Sequence, residues 1–235
     1  MRCCLQCLAS GGLVALASFC AAAANLTTAV VQPGGQDWTF AIWKANGVGT
    51  ATNPVAGNTY QCVSNGVAFG NNTANTRIRN PTLAGVVTFP GDSLTLGANT
   101  ELRMKVASNG IPILNFPGVS GSAGLILSNG FLNVGDDAVF SITGRIQVAS
   151  QSYISPADAG GGIVKPLRGL NVTGQLTGNG TLVLMNGGTS VPQQFSGKSN
   201  TFWGNWIVKG PVPLPLSPAV VVVRTGPRLP LESTR

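Results

Sequence analysis

Asp136 and Asp137 stand side by side in VGDDAV, and Arg145 follows in FSITGRIQV. Such a set could protonate a leaving group, ligate a divalent cation, or stabilise the anion formed when an acidic polysaccharide is cleaved. Only seven acids occur in the chain: Asp37, Asp92, Glu101, Asp136, Asp137, Asp158 and Glu232. Two carboxylates acting on one glycosidic bond must face the same space. Neighbours on a strand point opposite ways and Gly-Asp-Asp is turn chemistry, so this pair is expected at a solvated corner. Arg145 shares its side of a strand with Ser141, Thr143 and Gln147, the ordinary place for a solvated charge. The chain has no histidine, which removes Ser-His-Asp and Cys-His nucleophile systems and histidine zinc sites. The expectation is a protein that is not an enzyme, with no catalytic residue, no metal ligand and no cofactor site.

The run TGQLTGNGTLVLMNGG, residues 173 to 188, raises the question of a phosphate loop. It fits neither the Walker pattern nor a dinucleotide loop opening a helix, because Gly178-Asn179-Gly180 leads directly into a leucine-rich strand. Its glycines read as corners. Phe202, Trp203 and Trp206, in TFWGNWIV, form a candidate strip for stacking on sugar rings, although Phe202 and Trp206 would equally suit the end of a core.

The first 24 residues carry one arginine, an apolar run and Ala22-Ala23-Ala24, the pattern of a signal peptide with its cleavage site. Cys3, Cys4, Cys7 and Cys20 lie inside it, so the mature chain would keep only Cys62, read as a small apolar core residue. The formal charge of +7 is spread singly, in Lys44, Arg77, Arg79, Arg103, Lys105, Arg145, Lys165 and Arg168 among others. With no basic stripe and no interleaved aromatics, nucleic acid is not an expected partner.

The elements that must position these side chains are short strands. Thirty-two glycines and 9% charged residues favour strands and turns over helices. Leu94 and Leu96, then Leu102, Met104 and Val106, alternate with Ser93, Thr95, Glu101, Arg103 and Lys105. The device recurs with Leu125, Leu127, Leu132, Val134, Phe140, Ile142, Ile146 and Val148, and again with Leu170, Val172, Leu176, Leu182 and Leu184. Near the front, Trp38, Phe40 and Ile42 alternate with Thr39 and Ala41, as in a half-buried strand. The pattern predicts an all-β fold, a parallel β-helix with roughly 20 or more residues per coil, with an antiparallel β-sandwich as the alternative. Strand brevity, small aliphatic inward residues and asparagine at turns favour the helix.

Residues 176–210 resemble the passenger-associated repeat of bacterial autotransporter proteins. The matching positions are Gly178, Gly180, Thr181, Leu182 and Leu184, then Phe195, Ser196 and Gly197, then Asn200, Thr201, Phe202, Gly204, Trp206 and Val208. The resemblance implies a right-handed β-helix exported to the cell surface, and no catalytic residues. Residues 82–175 share only the general style. The autotransporter pattern continues into a carboxy-terminal barrel, whereas here the composition turns proline-rich after Gly210. The expected organisation is a signal peptide (1–24), an aromatic amino-terminal cap (25–81), β-helix coils (82–210) and a proline-rich disordered tail (211–235). The function expected is structural or adhesive, secreted or at the bacterial cell surface, with extracellular glycans or further copies of the chain as partners. Any outer-membrane association would come through a missing or separate barrel. A β-helix polysaccharide lyase or a carbohydrate-binding module is the alternative.

Overall fold

The computed structural model describes residues 25–28, 35–64, 76–155, 168–185, 193–209 and 220–224. The signal peptide, Gly187 and Gly188, Asp158 and Glu232 lie outside the described residues, as does most of the proline-rich tail. No helix occurs among the described residues.

The chain winds as a parallel β-helix with three faces. The first face stacks β1 (Asn25–Thr28), β5 (Thr59–Cys62), β8 (Ser93–Leu96), β11 (Leu125–Leu127), the second half of β13 (Val139–Val148), β16 (Gln175–Gly178) and β19 (Thr201–Phe202). The second face stacks β2 (Gln36–Asp37), β6 (Thr76–Arg79), β9 (Thr100–Met104), β12 (Phe131–Val134), β14 (Ser152–Ser155), β17 (Thr181–Met185) and β20 (Asn205–Lys209). The third stacks β7 (Gly85–Thr88), β10 (Pro112–Phe116), the first half of β13, β15 (Gly169–Val172) and β18 (Gln194–Phe195). β13 bends through a corner and so belongs to two faces. Every pairing between these stacked strands is parallel, which sets aside the antiparallel sandwich.

Alternation along each strand becomes a column along the axis, because parallel pairing in register places like upon like. Tyr60, Leu94, Leu125, Ile146 and Leu176 form the first column. Ile78, Leu102, Leu132, Ile154 and Leu184 form the second. Val87, Leu114, Ile142, Val172 and Phe195 form the third. Nearly all of these side chains are buried; Leu184 and Phe195 pack against the core from its edge. No coil could bury its aliphatic face alone, so stability resides in the contacts between coils. Leu132, at 1% exposure, sits between Leu102 and Ile154. Leu132→Ala is therefore expected to cost about 2–5 kcal/mol in urea unfolding, and a loss below about 1 kcal/mol would show that the coils collapse onto the gap.

Gly178-Asn179-Gly180 is a corner between the first and second faces. Gly180 lies beneath Gly204 of the next coil, where a Cβ would stand 1.8 Å from the Gly180 carbonyl oxygen. The repeat-like segments therefore stack on each other, with Leu182 under Trp206 and Leu184 under Val208.

Aromatic side chains gather at both ends. Trp38 meets Phe89 and Phe116 edge-on at 5.7 and 5.5 Å, and Trp43 meets Tyr60 at 4.9 Å while its Nε1 donates to Trp38 O at 2.9 Å. The expected alternation through Phe40 is not what forms. Asp37 Oδ1 accepts from Thr39 N at 2.9 Å and Thr39 Oγ1 at 2.7 Å, which folds residues 38–41 into a turn. Trp38, Ile42 and Trp43 go inward and Phe40 is left 51% exposed. β3 (Trp43–Ala45) and β4 (Val48–Thr52) then form an antiparallel hairpin against β1. At the other end Phe195 and Phe202 meet Trp206 edge-on at 4.7 and 5.3 Å. Within the stretch expected to be disordered, β21 (Val220–Arg224) pairs antiparallel with β20. It is a β-branched run free of proline, so nothing prevents it from joining a sheet edge.

Candidate functional site

The acids with chemical potential are engaged in holding coils together. Asp136 Oδ2 accepts from Val106 N at 2.8 Å, and its other oxygen pairs with Lys105 Nζ. Asp137 lies 3.8 Å from Arg168 Nε. The two neighbours thus serve different coils and do not share a space. Below them Asn80, fully buried, accepts from Lys105 N at 2.7 Å and donates to Lys105 O at 2.8 Å. Asn80, Lys105, Asp136 and Arg168 form a polar seam along one corner. Asp92 Oδ1 accepts from Gly57 N at 2.7 Å and fixes a turn.

Glu101 departs from the sequence reading. Its place in the alternation puts it on the outer side of the second face, yet it is fully buried. Parallel register sets it beside Arg77, whose Nη2 donates to Glu101 Oε2 at 2.9 Å. Asn133 Nδ2 donates to Oε1 at 2.9 Å. Burial pushes the Glu101 carboxyl above the usual carboxylate range, against the pull of Arg77, Arg103 and the Asn133 hydrogen bond. The signal that could have revealed the pair is the basic set Arg77, Arg79 and Arg103 around one acid, which becomes visible only with the register known.

Cys62 is fully buried, and burial drives its thiol far above its ordinary range, which suits an inert core residue. The three aromatic candidates are divided. Phe202 lies in the core, Trp206 packs against it, and Trp203 is 57% exposed. The structure does not bring the three rings onto one face. Among the described residues no group of three or more His, Cys, Asp or Glu side chains gathers as a metal site.

What the fold does build is a groove of about 660 Å³ on the outer side of the first face. Its floor comes from five stacked strands, with Thr59, Ser93, Ile126, Gln147 and Thr177. Asp92 stands beside β8, and one wall is the loop holding Val119, Gly121, Ser122 and Ala123. That loop closes on itself, Ser122 N donating to Val119 O at 2.8 Å, and Gly124 N ties its base to Arg145 O at 2.9 Å. Arg145 follows two residues before Gln147 on the same side of β13, and its Nη1 would stand 3.3 Å from a Cβ on Gly121. Among the described residues neither Arg145 nor Gln147 spends its side chain on a hydrogen bond. The sequence marks Arg145, at the groove's edge, as a candidate, whereas the strand residues that line the groove look ordinary until the coils stack.

No protein-family model, no curated protein and no solved structure matches the chain.

Proposed function

We propose that this chain is a secreted or cell-surface β-helix with a structural and adhesive role, similar to an autotransporter passenger, and that it is not catalytic. The observation that carries the reading is the employment of the described acids. Glu101 and Asp136 bind coil to coil, Asp37 and Asp92 fix turns, and Asp137 faces an arginine, so the side chains that would run hydrolysis or proton abstraction are committed to architecture. A stack of this kind is a rod whose strands are paired on both sides except at its ends, and it presents polar ladders along its length. Secretion is supported by the first 24 residues, and the passenger-like role by the repeat-like residues 176–210, whose strands β17 and β20 stack in register.

The purified chain is expected to bind cells or glycans in a solid-phase assay and to release no product from polysaccharides. Failure to bind either would end the adhesive reading. A second reading, a β-helix polysaccharide lyase, is favoured by the groove with Arg145 at its edge. Cleavage of an acidic polysaccharide that Arg145→Gln abolishes would establish it instead.

A further inference from the structure

We propose that the groove on the first face binds an extended anionic oligosaccharide, with Arg145 holding an acidic group of the sugar and Gln147 and Thr177 contacting its hydroxyls. This inference rests on the adhesive reading and gives it a site and a ligand class.

The groove crosses β5, β8, β11, β13 and β16 and therefore runs along the helix axis. Its polar side chains stand in two pairs at the strand spacing of about 4.8 Å, Thr59 with Ser93 and Gln147 with Thr177, on either side of Ile126, and that spacing is close to the length of one hexose unit. Amide and hydroxyl side chains can each donate and accept, as sugar hydroxyls do. The Thr177 hydroxyl donates to Ile146 O at 3.2 Å, which leaves its oxygen as an acceptor toward the groove. Asp92 and Arg145 stand two strands apart along the axis and give the groove a negative and a positive station, so one direction of an anionic chain is preferred. The volume falls in the range that encloses a short oligomer.

Other ligand classes fit less well. A peptide added as a strand needs unpaired main-chain groups, and the floor strands have theirs engaged in parallel ladders on both sides. A nucleic acid would need several cations and stacking rings, whereas the groove has one guanidinium at its edge and no aromatic in its lining.

The test is calorimetric titration of the full chain with a short oligogalacturonate, its methyl ester, and an oligoglutamate of similar length. The acidic sugar is expected to bind, with the methyl ester at least about tenfold weaker, the loss of one charge-assisted contact. Arg145→Gln should weaken binding by about tenfold or more. Gln147→Trp, which fills the groove, should abolish it. Lys209→Gln, exposed on the second face, should bind as the parent does. Thermal midpoints equal to the parent's would show that the groove variants are folded. No binding of the acidic sugar, equal binding by Arg145→Gln, or equally tight binding of oligoglutamate would overturn the proposal, the last pointing to an acidic peptide. If the chain adheres to cells while both groove variants behave as the parent, this site falls and the adhesive reading stands. If it binds oligogalacturonate, the parent alone and not the groove variants, while adhering to no cell, the site stands and the adhesive role narrows to glycan binding.

Discussion

Arg77→Leu is expected to cost about 3–5 kcal/mol of folding stability, and adding Glu101→Leu is expected to recover most of that loss. Arg77 is 5% exposed and Glu101 fully buried. Removing the guanidinium leaves a buried carboxyl with one hydrogen bond, from Asn133 to one oxygen, and the weaker attraction of Arg103, which do not replace the lost ion pair. Removing both charges leaves a position beside Phe131, already stacked on Tyr153 with ring centroids 4.4 Å apart, where leucine can pack. Urea midpoints of the two single variants and the double variant measure the coupling. If the two single losses simply add, the pair is not a closed unit and the account fails. The same group has a pH signature. Because burial raises the folded value of Glu101 above its unfolded one, its contribution to stability is fully present below the ordinary glutamate range and is lost as pH rises through the raised folded value. Arg77→Leu removes the largest opposing attraction and should widen that window, whereas Glu101→Gln should erase it.

The position of Glu101 shows where sequence reading stops. Leu102 and Met104 were readable as inward because alternation is local, and both are fully buried. That the other side of the same strand is also covered depends on Arg77 and Asn133, which arrive from strands 24 and 32 residues away. The coil length itself varies, from 21 residues between Leu125 and Ile146 to 42 between Gln36 and Ile78, so no fixed period announces the register. Phe40 was misplaced for a local reason, since Asp37 closes a turn that a count of alternate residues does not register. The groove was invisible for the opposite reason. Thr59, Ser93, Gln147 and Thr177 are ordinary strand residues, and they acquire meaning only when stacking sets them in two neighbouring columns of one face.

The corner at Gly144 is expected to be the least replaceable position in the fold. β13 runs unbroken from the third face to the first, and the change of direction falls on Gly144 with φ at 96°. A side chain there would carry two separate penalties. The backbone conformation alone costs about 1–3 kcal/mol for a residue with a Cβ. In addition, that Cβ would stand 2.0 Å from the Phe116 carbonyl oxygen of the coil below, a rigid neighbour that cannot move aside without opening the β10–β13 ladder. Gly49→Ala separates the two effects, because its φ is 83° and nothing lies within 4 Å of its would-be Cβ. Gly49→Ala should lose only the conformational part, about 1–3 kcal/mol, and Gly144→Ala distinctly more, above about 4 kcal/mol, the range reserved for a named structural clash. Chemical unfolding of both variants decides the matter. Equal losses would mean that the coils separate easily at this corner, and the rigid stacking from which the adhesive reading was argued would lose its physical basis.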